Sequence, residues 1–165
     1  EDPPKKFFRL APGREVRLRY GYFITCVNVV RDKISGEIVE VKCTYDPQTR
    51  GGQAPDGRRV RGTIHWVSAL HSLEAEVRLY NHLFTTAKPD DDDDFTKKLN
   101  PNSLVKLERC RVEASLAGSS PGDVYQFERN GYFCVDSVDS STNRLTFNLT
   151  APLRDSWAKI RKATK

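Results

Sequence analysis

Methionine is absent from this chain of 165 residues, and cysteine, histidine and tryptophan are scarce, at four, three and two copies. Cys26, Cys43, Cys110 and Cys134 stand far apart, and none falls in a CxxC or CxH pair with metal spacing. They are expected to be buried reduced thiols, the state a cytosolic protein maintains. His65, His71 and His82 offer no ligand pair with an acidic or thiol third partner, so no metal site is expected. His65, inside the apolar stretch "TIHWV", reads as a hydrogen-bonded histidine of a core or interface. No run approaches the ~20 apolar residues that a membrane-crossing helix needs. The opening segment "EDPPKKFFRLAPGRE" has no apolar signal region, and it begins without methionine, as a domain cut from a longer chain would. Signature motifs of catalysis are missing too: there is no G-x-S-x-G, no P-loop, no G-x-G-x-x-G and no H-E-x-x-H. Scattered Glu and Asp without a cleft read as surface charge, and a binding module is favoured over an enzyme.

What is present is arginine and strand. The formal net charge is +5, and many of the arginines lie in or beside predicted strands, among them Arg9, Arg14, Arg17, Arg19, Arg58, Arg59, Arg61, Arg78, Arg109, Arg111 and Arg129. A planar guanidinium donates in pairs to phosphates and to base edges, so arginine on a sheet face suits a nucleic acid. The acidic counterweight is concentrated in "PDDDDDF", which reads as a solvated loop held away from RNA.

"REVRLRYGYFITCVNVVRD" alternates apolar and polar residues, "KISG" turns, and "EIVEVKCTYD" returns, which predicts a long hairpin over 14–45. Further strands are predicted at "VRGTIHWVSA", "LEAEVRLY", "SLVKLERCRVE", "DVYQFERNGYFCVDS" and "RLTFNLT". "PQTRGGQAPDGRR" is too rich in Gly and Pro to be anything but a loop. Helix is confined to a turn around "LYNHLF" and to "LRDSWAKIRKATK", where Leu153, Trp157 and Ile160 share a helical face. The fold class is therefore all-β, a barrel or a pair of antiparallel barrels with a short C-terminal helix.

A basic, aromatic-bearing barrel suits single-stranded or looped RNA, whose splayed bases stack on rings and guanidinium planes. Arg17 and Arg19 are two apart and share a strand face, where a pair of cations can hold a base and its phosphate. Gln126 and Glu128 are also two apart, and a glutamine amide both donates to and accepts from a base edge. Arg129 follows at once, and one of Tyr132 and Phe133 is expected to be core.

"GREVRLRYGYFI", "CTYDPQTRGG", "DGRRVRGTIHWVSALHSLEAEVRLYNHLF", "LNPNSLVKL", "YQFERNGYFCVDS" and "FNLTAPLRDSWAK" together resemble the C-terminal anticodon-binding region of bacterial-type glutaminyl-tRNA synthetases, across nearly the whole chain. The resemblance implies two β-barrels: an entry segment at 1–12, a distal barrel at 13–80, and part of a proximal barrel at 81–165. It implies that Arg9 meets the third anticodon base, that Arg17 and Arg19 hold the first, and that Gln126 reads the middle base with Glu128 and Arg129 in support. Phe8 stands where the family pattern tends to carry lysine. The strands that open the proximal barrel, and the body that binds ATP, Mg and glutamine, are not in this sequence. The expected partners are the tRNA(Gln) anticodon loop and the enzyme's own catalytic domain, with no membrane, in a cytoplasmic monomer whose present fragment holds no cofactor and catalyses nothing. A glutamyl-tRNA synthetase of the β-barrel type and a free-standing RNA-binding barrel are the alternatives.

Overall fold

The computed structural model describes residues 8–91, 94–141 and 144–153. Its regular structure is strand, with four 3-10 turns and no longer helix among the described residues. The chain divides into two compact units at Trp66/Val67.

The first unit holds β1 (Glu15–Leu18), β2 (Phe23–Arg31), β3 (Ile38–Asp46) and β4 (Thr63–Ile64). They form one sheet in the order β3-β2-β1-β4. The stretch read as a single strand from 14 to 31 is two strands, because the chain reverses at Arg19–Tyr22: Gly21 N–H donates to Leu18 O at 2.9 Å, and β2 returns antiparallel to β1. The "KISG" turn is where it was expected. Asp32 Oδ1 accepts from the backbone N–H of Ile34 and Ser35, at 2.9 and 2.7 Å, and fastens the β2–β3 connection. β4 runs parallel to β1, since the long 47–62 loop carries the chain back across the sheet before pairing resumes. Val16, Phe23 and Cys26 are buried here, beside Thr49, whose hydroxyl is fully enclosed.

The second unit holds β5 (Leu73–Tyr80), β6 (Leu104–Val112), β7 (Val124–Phe127), β8 (Gly131–Val135) and β9 (Leu145–Pro152), in the order β6-β5-β9-β8-β7. Its core is Ala75, Val77, Val112, Phe133, Val135, Leu145 and Phe147. Phe127 stacks on Phe133 with ring centres 4.5 Å apart and meets Phe147 edge-on at 5.1 Å, the offset and T-shaped geometries that aromatic quadrupoles favour.

The all-β class holds. Each sheet is mixed: β1–β4 and β5–β9 are parallel, and among the described residues neither ladder closes into a barrel. β5 pairs with β6 and β9 and so belongs to the second sheet. There is no helical turn at 79–84; Leu79 and Tyr80 pair with Val105 and Leu104, and Asn100 N–H donates to Leu83 O, so the ladder contacts run on. The expected C-terminal helix, with Trp157 and Ile160, lies outside the described residues. Of the cysteines, all free, Cys26 is buried, Cys110 and Cys134 are half-buried and Cys43 is exposed. Cys43 lies directly across β2–β3 from Cys26, and local burial followed by that neighbour pushes its thiol pKa up. His65 is exposed, not core, because β4 ends at Ile64 before the strand can turn it inward.

Candidate nucleic-acid interface

Strand alternation puts Val16 into the first unit's core and turns Glu15 and Arg17 to the other face of β1, where Arg17 sits directly across from Phe23 and, on its other side, from Thr63. The 47–62 loop folds over that face. Thr49 anchors its start, accepting from Phe23 N–H at 2.8 Å and donating its own hydroxyl to Asp46 O at 2.7 Å. Arg58 anchors its end. The guanidinium grips Glu15 with two bonds of 3.1 Å each, reaches Asp46 at 2.5 Å and Asp56 at 2.6 Å, and lies 5.4 Å from the centre of the Phe23 ring. These carboxylates hold Arg58 more firmly protonated than an ordinary arginine, Glu15 contributing most.

Between the two anchors lies Gly52, in the left-handed region at φ +86°, with its Cβ position only 2.5 Å from Arg17 Cδ. Only glycine lets the loop come this close. Arg17 Nη1 donates to Gly52 O at 3.4 Å and Nε to Thr63 Oγ1 at 3.2 Å, which fixes the plane of its fork. Arg19 lies just past the end of β1, its N–H donating to Ile64 O at 2.9 Å. Its side chain crosses the Tyr20 ring at 4.5 Å and donates from Nη2 to Tyr20 OH at 3.1 Å. Arg9 lies in the same unit, in a separate cleft of about 690 Å³ walled by Leu10, Pro12, Cys26, Val29 and Ile38.

Gln126, Glu128 and Arg129 fall in the second unit. Tyr125 and Phe127 turn half-buried against Phe147, so Gln126, between them on the sheet's edge strand, is exposed and pairs across with Tyr132. Glu128 is not on that strand face: β7 stops at Phe127, and Glu128–Asn130 form a turn closed by Asn130 N–H to Phe127 O at 2.9 Å. Arg129 occupies its left-handed position at φ +67°. Of the two aromatics after Gly131, Phe133 is the core residue at 3% exposure, while Tyr132 is exposed at 41%.

Two of the arginines read as candidate RNA contacts are engaged elsewhere. Arg58 locks the loop. Arg78 is the centre of an internal network, donating to Glu76 at 2.6 Å, Asp136 at 3.3 Å and Asp139 at 2.6 Å, while Arg144 meets the other oxygen of Glu76 at 2.7 Å. Sequence reasoning missed Tyr20, Gly52 and Thr49. "TRGG" signalled a loop, but nothing in it says that the second glycine lies on an arginine.

Two family models, both described as tRNA synthetases class I (E and Q), anti-codon binding domain, match residues 1–46 and 63–136. A glutamine–tRNA ligase of Nitrobacter hamburgensis is 58% identical over 163 residues, covering 99% of this chain and 28% of the relative. Those of Bradyrhizobium diazoefficiens and Stutzerimonas stutzeri are 55% and 50% identical, each over 96% of this chain and over 28% and 29% of their own lengths. The chain therefore belongs to the anticodon-binding domains of class I tRNA synthetases of the E and Q kind, with relatives on the glutaminyl side. It spans a little over a quarter of the length of those relatives.

Proposed function

We propose that this chain is the anticodon-reading part of a cytoplasmic, monomeric glutamine–tRNA ligase, and that it grips the anticodon loop of tRNA(Gln) while a catalytic domain elsewhere in the enzyme binds ATP and Mg and joins glutamine to the tRNA. The observation that carries the reading is the Arg17 fork, held by Gly52 O and Thr63 Oγ1 on the outer face of β1 and followed by Arg19. An oriented pair of guanidinium groups can donate to a base edge and its phosphate together. In this reading Arg17 and Arg19 take the first anticodon base, and the Arg9 cleft takes the third. Gln126 takes the middle base, with Glu128 and Arg129 at the adjoining turn. A glutamine amide offers a donor and an acceptor side by side, which matches the edge of a uracil.

Aminoacylation by the full-length ligase tests it. Arg17→Ala and Arg19→Ala should each remove about 1–3 kcal/mol of RNA recognition, raising KM for tRNA more than they lower activation of glutamine. Wild-type kinetics with tRNA for both variants would rule the assignment out. For the middle base, Gln126→Glu replaces an amide that donates and accepts with a carboxylate that only accepts. Transcripts varied at that position should then show a weakened preference for U; an unchanged preference in a folded variant would mean that other residues read it.

A further inference from the structure

Among the described residues only three side chains other than hydrogen sit on left-handed backbone: Tyr20, Arg109 and Arg129. At Tyr20, φ +57°, the Cβ crowds the following carbonyl, so the position carries backbone strain. It is the third residue of the β1–β2 turn, a place that glycine fills easily. A glycine is available one residue later, yet Gly21 does other work: a Cβ on it would lie 3.1 Å from Leu18 Cβ and 3.5 Å from the Trp66 ring. Trp66 in turn donates from Nε1 to Arg19 O at 3.0 Å. The turn is thus pinned from beneath by Trp66 and throws Tyr20 outward, where the ring is 80% exposed. The ring is nevertheless oriented, because Arg19 spans it at 4.5 Å and bonds its hydroxyl at 3.1 Å.

Tyr20 is thus a strained, exposed and oriented aromatic against Arg19. We propose that Tyr20 is a stacking platform for one unstacked base of loop RNA, working beside the Arg17 and Arg19 forks. The ligand class is a single-stranded nucleobase. Any base has a π-face, so the ring adds affinity with little sequence preference, while the guanidinium donors supply the reading. The inference rests on the proposal that Arg17 and Arg19 receive an anticodon base.

The test uses full-length protein and an anticodon stem-loop RNA with 2-aminopurine at the first anticodon position, whose fluorescence is quenched by stacking. Tyr20→Gly should raise the thermal midpoint, because it relieves the left-handed strain, and yet weaken RNA binding roughly tenfold and lose the quench. Tyr20→Phe keeps the ring and should bind within about twofold of the parent. Opposite signs for stability and binding cannot come from a merely structural residue. If Tyr20→Gly binds and quenches as the parent does while Arg17→Ala is weakened, the platform is refuted and the arginine site stands. If Arg17→Ala also binds as the parent does, the underlying reading of this site fails as well.

Discussion

Tyr132 and Phe133 are neighbours in sequence with opposite duties, and the period of the strand assigns them. Phe133 stacks within the Phe127–Phe147 cluster, so Phe133→Ala should cost about 3–5 kcal/mol in chemical denaturation. Anticodon preference should be unaltered, since Gln126 pairs across from Tyr132 and not from Phe133. Thr49 is a smaller case of the same kind. Its buried hydroxyl satisfies Phe23 N–H and donates to Asp46 O. Thr49→Val keeps the shape but leaves that N–H without an acceptor, which should cost about 1–3 kcal/mol of unfolding free energy. A cost near zero would show that the hydroxyl is not what holds the loop.

Among elements, the 47–62 loop fixes the position of the Arg17 fork. Its two anchors, Thr49 and Arg58, bracket Gly52, which lies against the Arg17 side chain. Gly52→Ala would place a methyl 2.5 Å from Arg17 Cδ on a backbone at φ +86°. The flexible arginine must yield, and the loop loses its close approach. The expected result is a backbone cost of about 1–2 kcal/mol together with a raised KM for tRNA resembling that of Arg17→Ala. Arg58→Ala should act on the same site from a distance: RNA affinity falls, and proteolysis within 50–57 quickens as the clamp on Glu15 and Asp46 opens. Unchanged affinity in both variants would mean that the loop only covers the sheet and does not orient the fork.

Over the whole molecule, charge does two separate jobs. The net excess of basic residues favours a polyanion, but the second unit engages some of its arginines internally with Glu76 and Asp136. Asp136 accepts from the backbone N–H of Asp139 and Val138 and from Asn148 Nδ2, and it faces Arg78. Chiefly through the backbone donor at Asp139, these partners push its pKa from the ordinary 3.8 down to about 2. Glu76 is lowered as well, by Arg78 first and Arg144 second. A carboxylate whose folded pKa is depressed stabilises the fold fully above its unfolded value, and that contribution is lost as pH falls through the folded one. Stability should therefore be flat near neutrality and decline from about pH 4 toward pH 2. Asp136→Asn removes the titrating group and should shallow that decline; an acid limb as steep as the parent's would place the sensitive group elsewhere. The acidic run is partly structural. Asp94 accepts from Thr96 N–H at 3.1 Å and caps the 3-10 turn Phe95–Lys98, while Asp90 and Asp91 are exposed.

Local chemistry was enough for the all-β class, the Asp32–Gly36 turn and the loop at 47–59, whereas Arg9, Arg17, Arg19, Gln126, Glu128 and Arg129 were named by the family resemblance. Period-two alternation and turn residues act over a few neighbours, so they are written in order along the chain. Reversals inside runs read as single strands were missed: "LRYGYF" and "QFERNGYF" each contain a turn whose left-handed residue is Tyr20 or Arg129 and not the nearby glycine. Which strands run parallel was hidden as well, because β1 meets β4 and β5 meets β9 across long connections that no local pattern encodes. So was the separation of arginines held by carboxylates from those proposed as RNA contacts. Arg58 and Arg17 look alike in sequence, and only the fold brings three carboxylates to one and a glycine carbonyl to the other, since a guanidinium's role depends on which partners long-range contacts place within hydrogen-bond reach.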